Sequence, residues 1–214
     1  MLRAHNTTRV SINPQTMEDN VLAAIGRRHT ADDIRRAMEQ VKNANFPHVN
    51  MDLIAGLPED TPEGFARSLD EVISMGADNI TVHTLSLKKG SRIMLEGSRI
   101  PGADEVAQML DYADPTLRKH GFAPYYLYRQ KYMAGNQENV GYALPGHACQ
   151  YNVDIMEETT HILALGAGGI SKRVYPEEGH IGRAPNVSNI EQYIARVEEM
   201  IGRKKALFLP EMPL

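Results

Sequence analysis

The sequence predicts an α/β fold built on a parallel sheet. Two observations carry this. Three short segments rich in β-branched residues, Thr8–Ile12, His48–Ile54 and Asn79–Leu85, each end at Pro, Gly or Lys-rich loop chemistry. Between and after them lie longer segments with apolar residues at helical spacing. A β-α-β-α-β-α order places helices outside a parallel sheet, joined by right-handed crossovers.

The elements follow in order. Thr8-Arg9-Val10-Ser11-Ile12 alternates as a strand. Thr30 with Asp33 forms a capping-box pattern, and Ile34, Ala37, Met38 and Val41 then give one apolar helix face. His48–Ile54 is the second strand. Thr61 followed by Pro62 and Glu63 starts a helix with proline at its first position, and Phe65, Leu69, Val72 and Ile73 form its stripe. Asn79–Leu85 is the third strand. A third helix carries Val106, Met109, Leu110, Ala113 and Leu117, with a bend expected near Pro115.

The second half changes character. Residues 123–146 are rich in Tyr, Asn and Gly. A strand is expected at Tyr151–Met156 and another at Lys172–Tyr175, separated by Gly166-Ala167-Gly168-Gly169. A terminal helix is expected with Ile190, Tyr193, Ile194, Val197 and Ile201 on one face. The boundary is drawn near residue 122, giving regions 1–122 and 123–214.

Composition bounds the function. The chain has 214 residues, 42% hydrophobic and 23% charged, enough for one packed domain with an appendage. Its 23 Lys and Arg against 27 Asp and Glu give a net charge of −4. With no basic run, nucleic acid is not an expected partner. Nothing approaches the roughly 20 apolar residues of a membrane span. Met1-Leu2-Arg3-Ala4-His5-Asn6 lacks a signal peptide's apolar core, so a cytoplasmic location is expected. The single cysteine, Cys149, excludes an internal disulfide, a cysteine-rich zinc site and an iron–sulfur cluster ligated by this chain alone.

Several motifs invite sharper readings. The Gly166–Gly169 loop is followed by extended-looking residues rather than a helix, which argues for a tight turn over a phosphate loop. His147 and Cys149 form a weak metal pair whose plainer reading is a solvated loop. His83, alone on its strand, reads as structural. Gln15, Asp52 and Ser86 fall in or after the three strands, where parallel α/β folds bind ligands. Asp52 lies between Met51 and Leu53, and a carboxylate in an apolar strand requires a partner. Arg129 and Lys131 suit carboxylate binding, although a solvated basic pair is as good a reading.

Longer stretches carry a resemblance. Arg9-Val10-Ser11-Ile12-Asn13-Pro14-Gln15-Thr16-Met17, Gly26-Arg27-Arg28-His29-Thr30, and Asn50-Met51-Asp52-Leu53-Ile54-Ala55-Gly56-Leu57-Pro58 with Thr61-Pro62-Glu63 resemble oxygen-independent coproporphyrinogen III oxidase, or coproporphyrinogen dehydrogenase. Tyr125-Tyr126-Leu127-Tyr128-Arg129-Gln130-Lys131 and Glu138-Asn139-Val140-Gly141-Tyr142-Ala143 are similar to the HemZ-like branch of these radical S-adenosylmethionine (SAM) proteins.

The resemblance implies the C-terminal half of a partial (βα)6 TIM-like barrel, three parallel βα units, plus a mixed C-terminal region. It implies SAM binding by Gln15, Arg27, Asp52, Ser86 and Ile170. It also implies a family activity: SAM-radical oxidative decarboxylation of coproporphyrinogen III propionates to vinyl groups, giving protoporphyrinogen IX in anaerobic haem biosynthesis. Arg129 and Lys131 are candidates for holding substrate propionates; no catalytic residue is assigned. The family's [4Fe-4S] cluster motif, CxxxCxxC, is not in this sequence, so no metal ligand is assigned here. The expectation is a fragment inactive alone, in need of a missing N-terminal half or an electron donor. Two alternatives stand beside it: a haem-trafficking relative using His147 and Cys149, and a non-functional truncation. A half barrel also leaves an unpaired edge at the strand containing Val10.

Overall fold

The computed structural model of the chain describes residues 2–86, 98–129 and 137–209. It divides into two compact units, Met1–Cys149 and Gln150–Leu214.

The first unit is a five-stranded sheet flanked by helices. Its elements are β1 (Arg9–Gln15), α1 (Asp19–Ala24), α2 (Ala31–Asn43), β2 (His48–Ala55), α3 (Pro62–Ser74), β3 (Asn79–Thr84), α4 (Ala103–Lys119), β4 (Ala123–Tyr128) and β5 (Asn139–Ala143). The strand order is β1-β2-β3-β5-β4. β1, β2 and β3 are parallel, as the alternation of strands and helices predicts. β5 runs antiparallel to both β3 and β4, so the region after residue 122 extends the sheet. Among the described residues β1 pairs only with β2, which leaves it at the sheet edge.

The helix starts follow the local chemistry. Thr30 accepts from the Asp33 amide while the Asp33 carboxylate accepts from the Thr30 amide, closing the capping box of α2. Thr61 caps α3 ahead of Pro62. α4 runs unbroken through Pro115, so the proline does not end it.

One face of the sheet is apolar. Met51, Leu53 and Ala55 of β2 and Ile80 and Val82 of β3 are buried in one cluster with Ile34 of α2, Phe65, Leu69 and Val72 of α3, and Val106, Met109 and Leu117 of α4. Gly56 ends β2 at φ +85°, and a Cβ there would lie 2.9 Å from Val106. Glycine therefore serves both the turn and the close approach of α4.

The second unit contains α5 (Gln150–Glu157), the antiparallel ribbon β6 (Ile170–Tyr175) and β7 (His180–Pro185), α6 (Ile190–Ala195) and α7 (Val197–Phe208). Two expectations are corrected here. Tyr151–Met156 is helical, not a strand. It holds Asn152 and Asp154, poor strand formers, and Gln150 hydrogen-bonds Asp154 one turn on. The terminal helix is two helices meeting at Arg196, and its apolar stripe faces outward. Ile190 and Ile194 are exposed, while Met200 and Lys204 are buried. The buried Lys204 ammonium is satisfied by Asn186 Oδ1 at 2.6 Å and the Met200 carbonyl at 3.2 Å. The glycine loop is a turn leading into β6. Gly166 and Gly168 have φ of +90° and +74°, and Asn186 Nδ2 donates to the Gly166 carbonyl at 2.7 Å.

Candidate functional site

The other face of the sheet in the first unit is polar. Side chains alternate along a strand, so Asn50 and Asp52 of β2 point away from the buried Met51 and Leu53. The register pairs Ser11 with Asn50, Asp52 with Thr81, Thr81 with Gly141, and Gly141 with Tyr126. One row thus crosses from β2 to β4.

Hydrogen bonds connect this row. Asn50 Nδ2 donates to Asp52 Oδ1 at 2.8 Å and to Ser11 Oγ at 3.3 Å. His83 Nε2 stands 3.8 Å from Asp52 Oδ2, and its Nδ1 is hydrogen-bonded to the Tyr128 hydroxyl at 3.2 Å. Thr81 and Tyr126 share a hydroxyl–hydroxyl bond of 3.3 Å. The Tyr126 and Tyr128 rings stack at 6.3 Å with 7° between planes. Gly141 makes room for this, since a Cβ there would fall 1.8 Å from the Tyr126 ring.

The electrostatics suit an anionic acceptor. Burial pushes the Asp52 carboxyl up, but the His83 ring and the Asn50 amide outweigh it and hold the group below its ordinary value. Asp52 is therefore ionised at neutral pH. Burial pushes the Tyr126 hydroxyl up to about 12, against the opposing Thr81 hydrogen bond, so this ring stays neutral. Asn50 Oδ1 is buried with no hydrogen-bond partner, leaving an unused acceptor beside Asp52.

The residues expected to bind SAM fall as follows. Gln15 closes β1, nearly buried, with a left-handed φ of 70° and a hydrogen bond from Nε2 to the Asn13 carbonyl at 3.3 Å. The β1–β2 register shifts between Ile12 and Gln15, where Pro14 has no N–H for the ladder. A non-glycine residue in this region of φ stores strain, and such strain collects at binding sites. Arg27 is exposed in the connection between α1 and α2. Asp52 is in β2, and Ser86 lies just past β3. Gln15, Arg27 and Ser86 belong to the C-terminal ends of β1 and β3 and the connections that leave them, whereas Asp52 lies in the middle of β2. Ile170 belongs to the second unit, where it opens β6 with its side chain half exposed.

Of the substrate candidates, Arg129 pairs with Glu138 Oε1 at 2.8 Å. It lines a cavity of about 350 Å³ with Val82, Val140 and Tyr142, residues of the helix-covered face. Lys131 lies outside the described residues. The sequence reading did not assign Asn50, Thr81, Tyr126 or Tyr128 to the site, and it set His83 aside. The i, i+2 spacing of Thr81 with His83 and of Tyr126 with Tyr128 was the available signal.

Comparison with known proteins agrees with this fold. Residues 1–72 match the Radical SAM superfamily model. That stretch is similar to the radical SAM proteins, and the similarity over the rest of the chain runs to HemZ. The chain is 38% identical over 206 residues to the oxygen-independent coproporphyrinogen-III oxidase-like protein HemZ of Bacillus subtilis, covering 95% of this chain and 41% of HemZ. It is 24% identical to the heme chaperone HemW of the same organism, over 93% of this chain and 48% of HemW. The structure of coproporphyrinogen III oxidase (HemN) from Escherichia coli superimposes with a TM-score of 0.68 at 22% identity, covering 92% of this chain and 45% of HemN. The chain spans less than half the length of each of these three proteins.

Proposed function

We propose that this chain supplies the SAM-binding, C-terminal portion of a coproporphyrinogen III oxidase-like radical SAM enzyme. Its residues fit SAM in a stated way. Asp52, ionised and open to one side of the sheet, can accept hydrogen bonds from ribose hydroxyls. Arg27 can pair in bidentate fashion with the SAM carboxylate. Gln15 closes β1 opposite Leu53 of β2, and Ser86 lies just past β3, so both belong to the ends of strands next to β2.

The cluster does not fit. One cysteine among 214 residues cannot supply the three thiolates of a CxxxCxxC motif. Electron entry therefore has to come from outside this sequence, and the chain alone should not cleave SAM. In the whole enzyme the substrate would be a tetrapyrrole bearing propionates, with Arg129 and Lys131 as the candidates to hold them; Arg129 would have to exchange its Glu138 partner for a propionate.

The observation that carries this reading is the ionised Asp52 within the hydrogen-bonded row of His83, Asn50, Thr81 and Tyr128. The test is calorimetric titration of the purified chain with SAM. Saturable binding, weakened tenfold or more by Asp52→Ala, is the expected result. Absence of binding, or binding indifferent to Asp52→Ala, would refute it. SAM cleavage by the chain after reconstitution with iron and sulfide would overturn the expected inactivity.

The HemW relatives favour a second reading, a haem-binding protein with His147 and Cys149 as ligands. Haem titration of His147→Ala and Cys149→Ala separates the two. A haem spectrum unchanged by both substitutions removes those ligands.

A further inference from the structure

At the N-terminal ends of β2 and β3, three side chains converge from distant parts of the chain. His48 begins β2, Asp78 immediately precedes β3, and His147 follows β5. His48 Nδ1 and His147 Nδ1 are 3.1 Å apart, and His147 Nδ1 is 3.3 Å from Asp78 Oδ2. All three donor atoms lie within 4.8 Å of one another. We propose that His48, Asp78 and His147 bind a divalent transition-metal ion, with zinc the best fit.

The geometry is that of one face of a coordination polyhedron. Bonds of ~2.0–2.1 Å from a tetrahedral ion place neighbouring ligand atoms about 3.4 Å apart. Two of the three separations are already close to that value. The rings meet edge to face, at 81° and 5.0 Å between centroids, with their Nδ1 atoms turned toward each other. Without an ion, a proton placed on His147 Nδ1 would have two acceptors, His48 Nδ1 and Asp78 Oδ2. A cation would use all three lone pairs at once. Two imidazoles and one carboxylate form a donor set that suits zinc, with the fourth position left to water.

The ligands are held before any ion arrives. Asp78 Oδ2 accepts from the Val49 amide at 2.9 Å, and Asp78 Oδ1 accepts from Asn79 Nδ2 at 2.9 Å. The His147 carbonyl accepts from Asn79 Nδ2 at 2.6 Å and from Arg9 Nη2 at 2.7 Å. The His48 amide donates to the Thr8 carbonyl at 3.1 Å, fixing the start of β2. Such outer contacts orient metal ligands. Arg9 Nη1 stands 4.0 Å from Asp78 Oδ1, on the oxygen turned from the imidazoles. That guanidinium offsets the carboxylate charge and sets a modest affinity. Cys149, two residues past His147, is not one of the converging donors.

The site would be structural. It ties the starts of β2 and β3 to the segment after β5 and is independent of the SAM reading. The test uses the tag-free 214-residue chain, stripped with chelator and titrated with Co²⁺, then with competing Zn²⁺. We expect one equivalent to bind with visible d–d absorption, Zn²⁺ to displace it, and Zn²⁺ to raise the melting temperature. His48→Gln and His147→Gln should each weaken binding at least tenfold, and Cys149→Ser should leave it unchanged. Absence of saturable binding, or binding that survives both histidine substitutions or is lost with Cys149→Ser, would overturn the proposal. Should the histidine variants misfold, the wild-type chain still decides. Zn²⁺ should shield His48 and His147 from diethyl pyrocarbonate, mapped by mass spectrometry, while leaving His83 and His161 reactive. Equal reactivity of all four with and without Zn²⁺ would overturn it.

Discussion

Asp60, in the loop after β2, is 1% exposed, and its Oδ1 accepts from the Thr61 amide while Oδ2 has no partner. Burial pushes its carboxyl up to about 6, with the Thr61 hydrogen bond pulling the other way. The unfolded chain releases this proton near the ordinary value of 3.8. Between about pH 4 and pH 6 the folded protein holds a proton that the unfolded chain has lost, so stability falls as pH rises through this window. The stabilisation lost by neutral pH is on the order of 1–3 kcal/mol. Urea unfolding of wild type and Asp60→Asn across this range measures it. The variant should lose that part of the slope; parallel curves would show that Asp60 contributes nothing. Asp52 carries the opposite sign. Its lowered value means that its contribution is present above about pH 4 and is lost as pH falls through the folded value. These two carboxylates show what the sequence could reveal. An aspartate amid apolar strand residues marked Asp52, but no pattern marked Asp60, whose burial depends on the loop closing over it.

Elements with clean periodicity were legible. The three parallel strands and α2, α3 and α4 lie where alternation, capping residues and apolar spacing put them; β2 and the three helices each have a single buried face. The second unit was harder to read. α5 has no buried residue to impose a pattern, and the Ile190/Ile194 stripe of α6 covers no core. This gives a direct contrast. Met200 is fully buried, and Met200→Ala should cost about 2–5 kcal/mol. Ile194 is 68% exposed, and Ile194→Gln should change stability by less than about 0.5 kcal/mol. Thermal unfolding of the two variants checks this; equal losses would mean that the apolar stripe of α6 is covered in solution. The polar row of the candidate site was only half legible. Asp52 was visible within its own strand, whereas its link to Tyr126 and Tyr128 depends on the antiparallel β5 and β4, whose register local sequence does not encode.

On the scale of the molecule, the sheet of the first unit has a covered face, a polar face and an edge at β1. An edge strand offers unpaired backbone groups to any incoming strand. The chain should therefore associate in a concentration-dependent way, and Ser11→Lys, on the exposed side of that edge, should reduce the effect. Sedimentation velocity across a dilution series measures it. A single species at every concentration would show that the β1 edge is protected. No described helix is long and apolar enough to cross a membrane. The similarity to HemZ covers nearly all of this chain but 41% of HemZ.

The stacked pair Tyr126 and Tyr128 has an optical consequence. The sequence holds nine tyrosines and no tryptophan, so no indole masks phenol emission. Two of those nine rings lie in the same hydrogen-bonded row as Asp52, one touching Thr81 and the other His83. A ligand settling on that face would change their solvent exposure and alter their fluorescence. The unmodified chain thus carries its own reporter at the candidate site, one that needs neither label nor turnover.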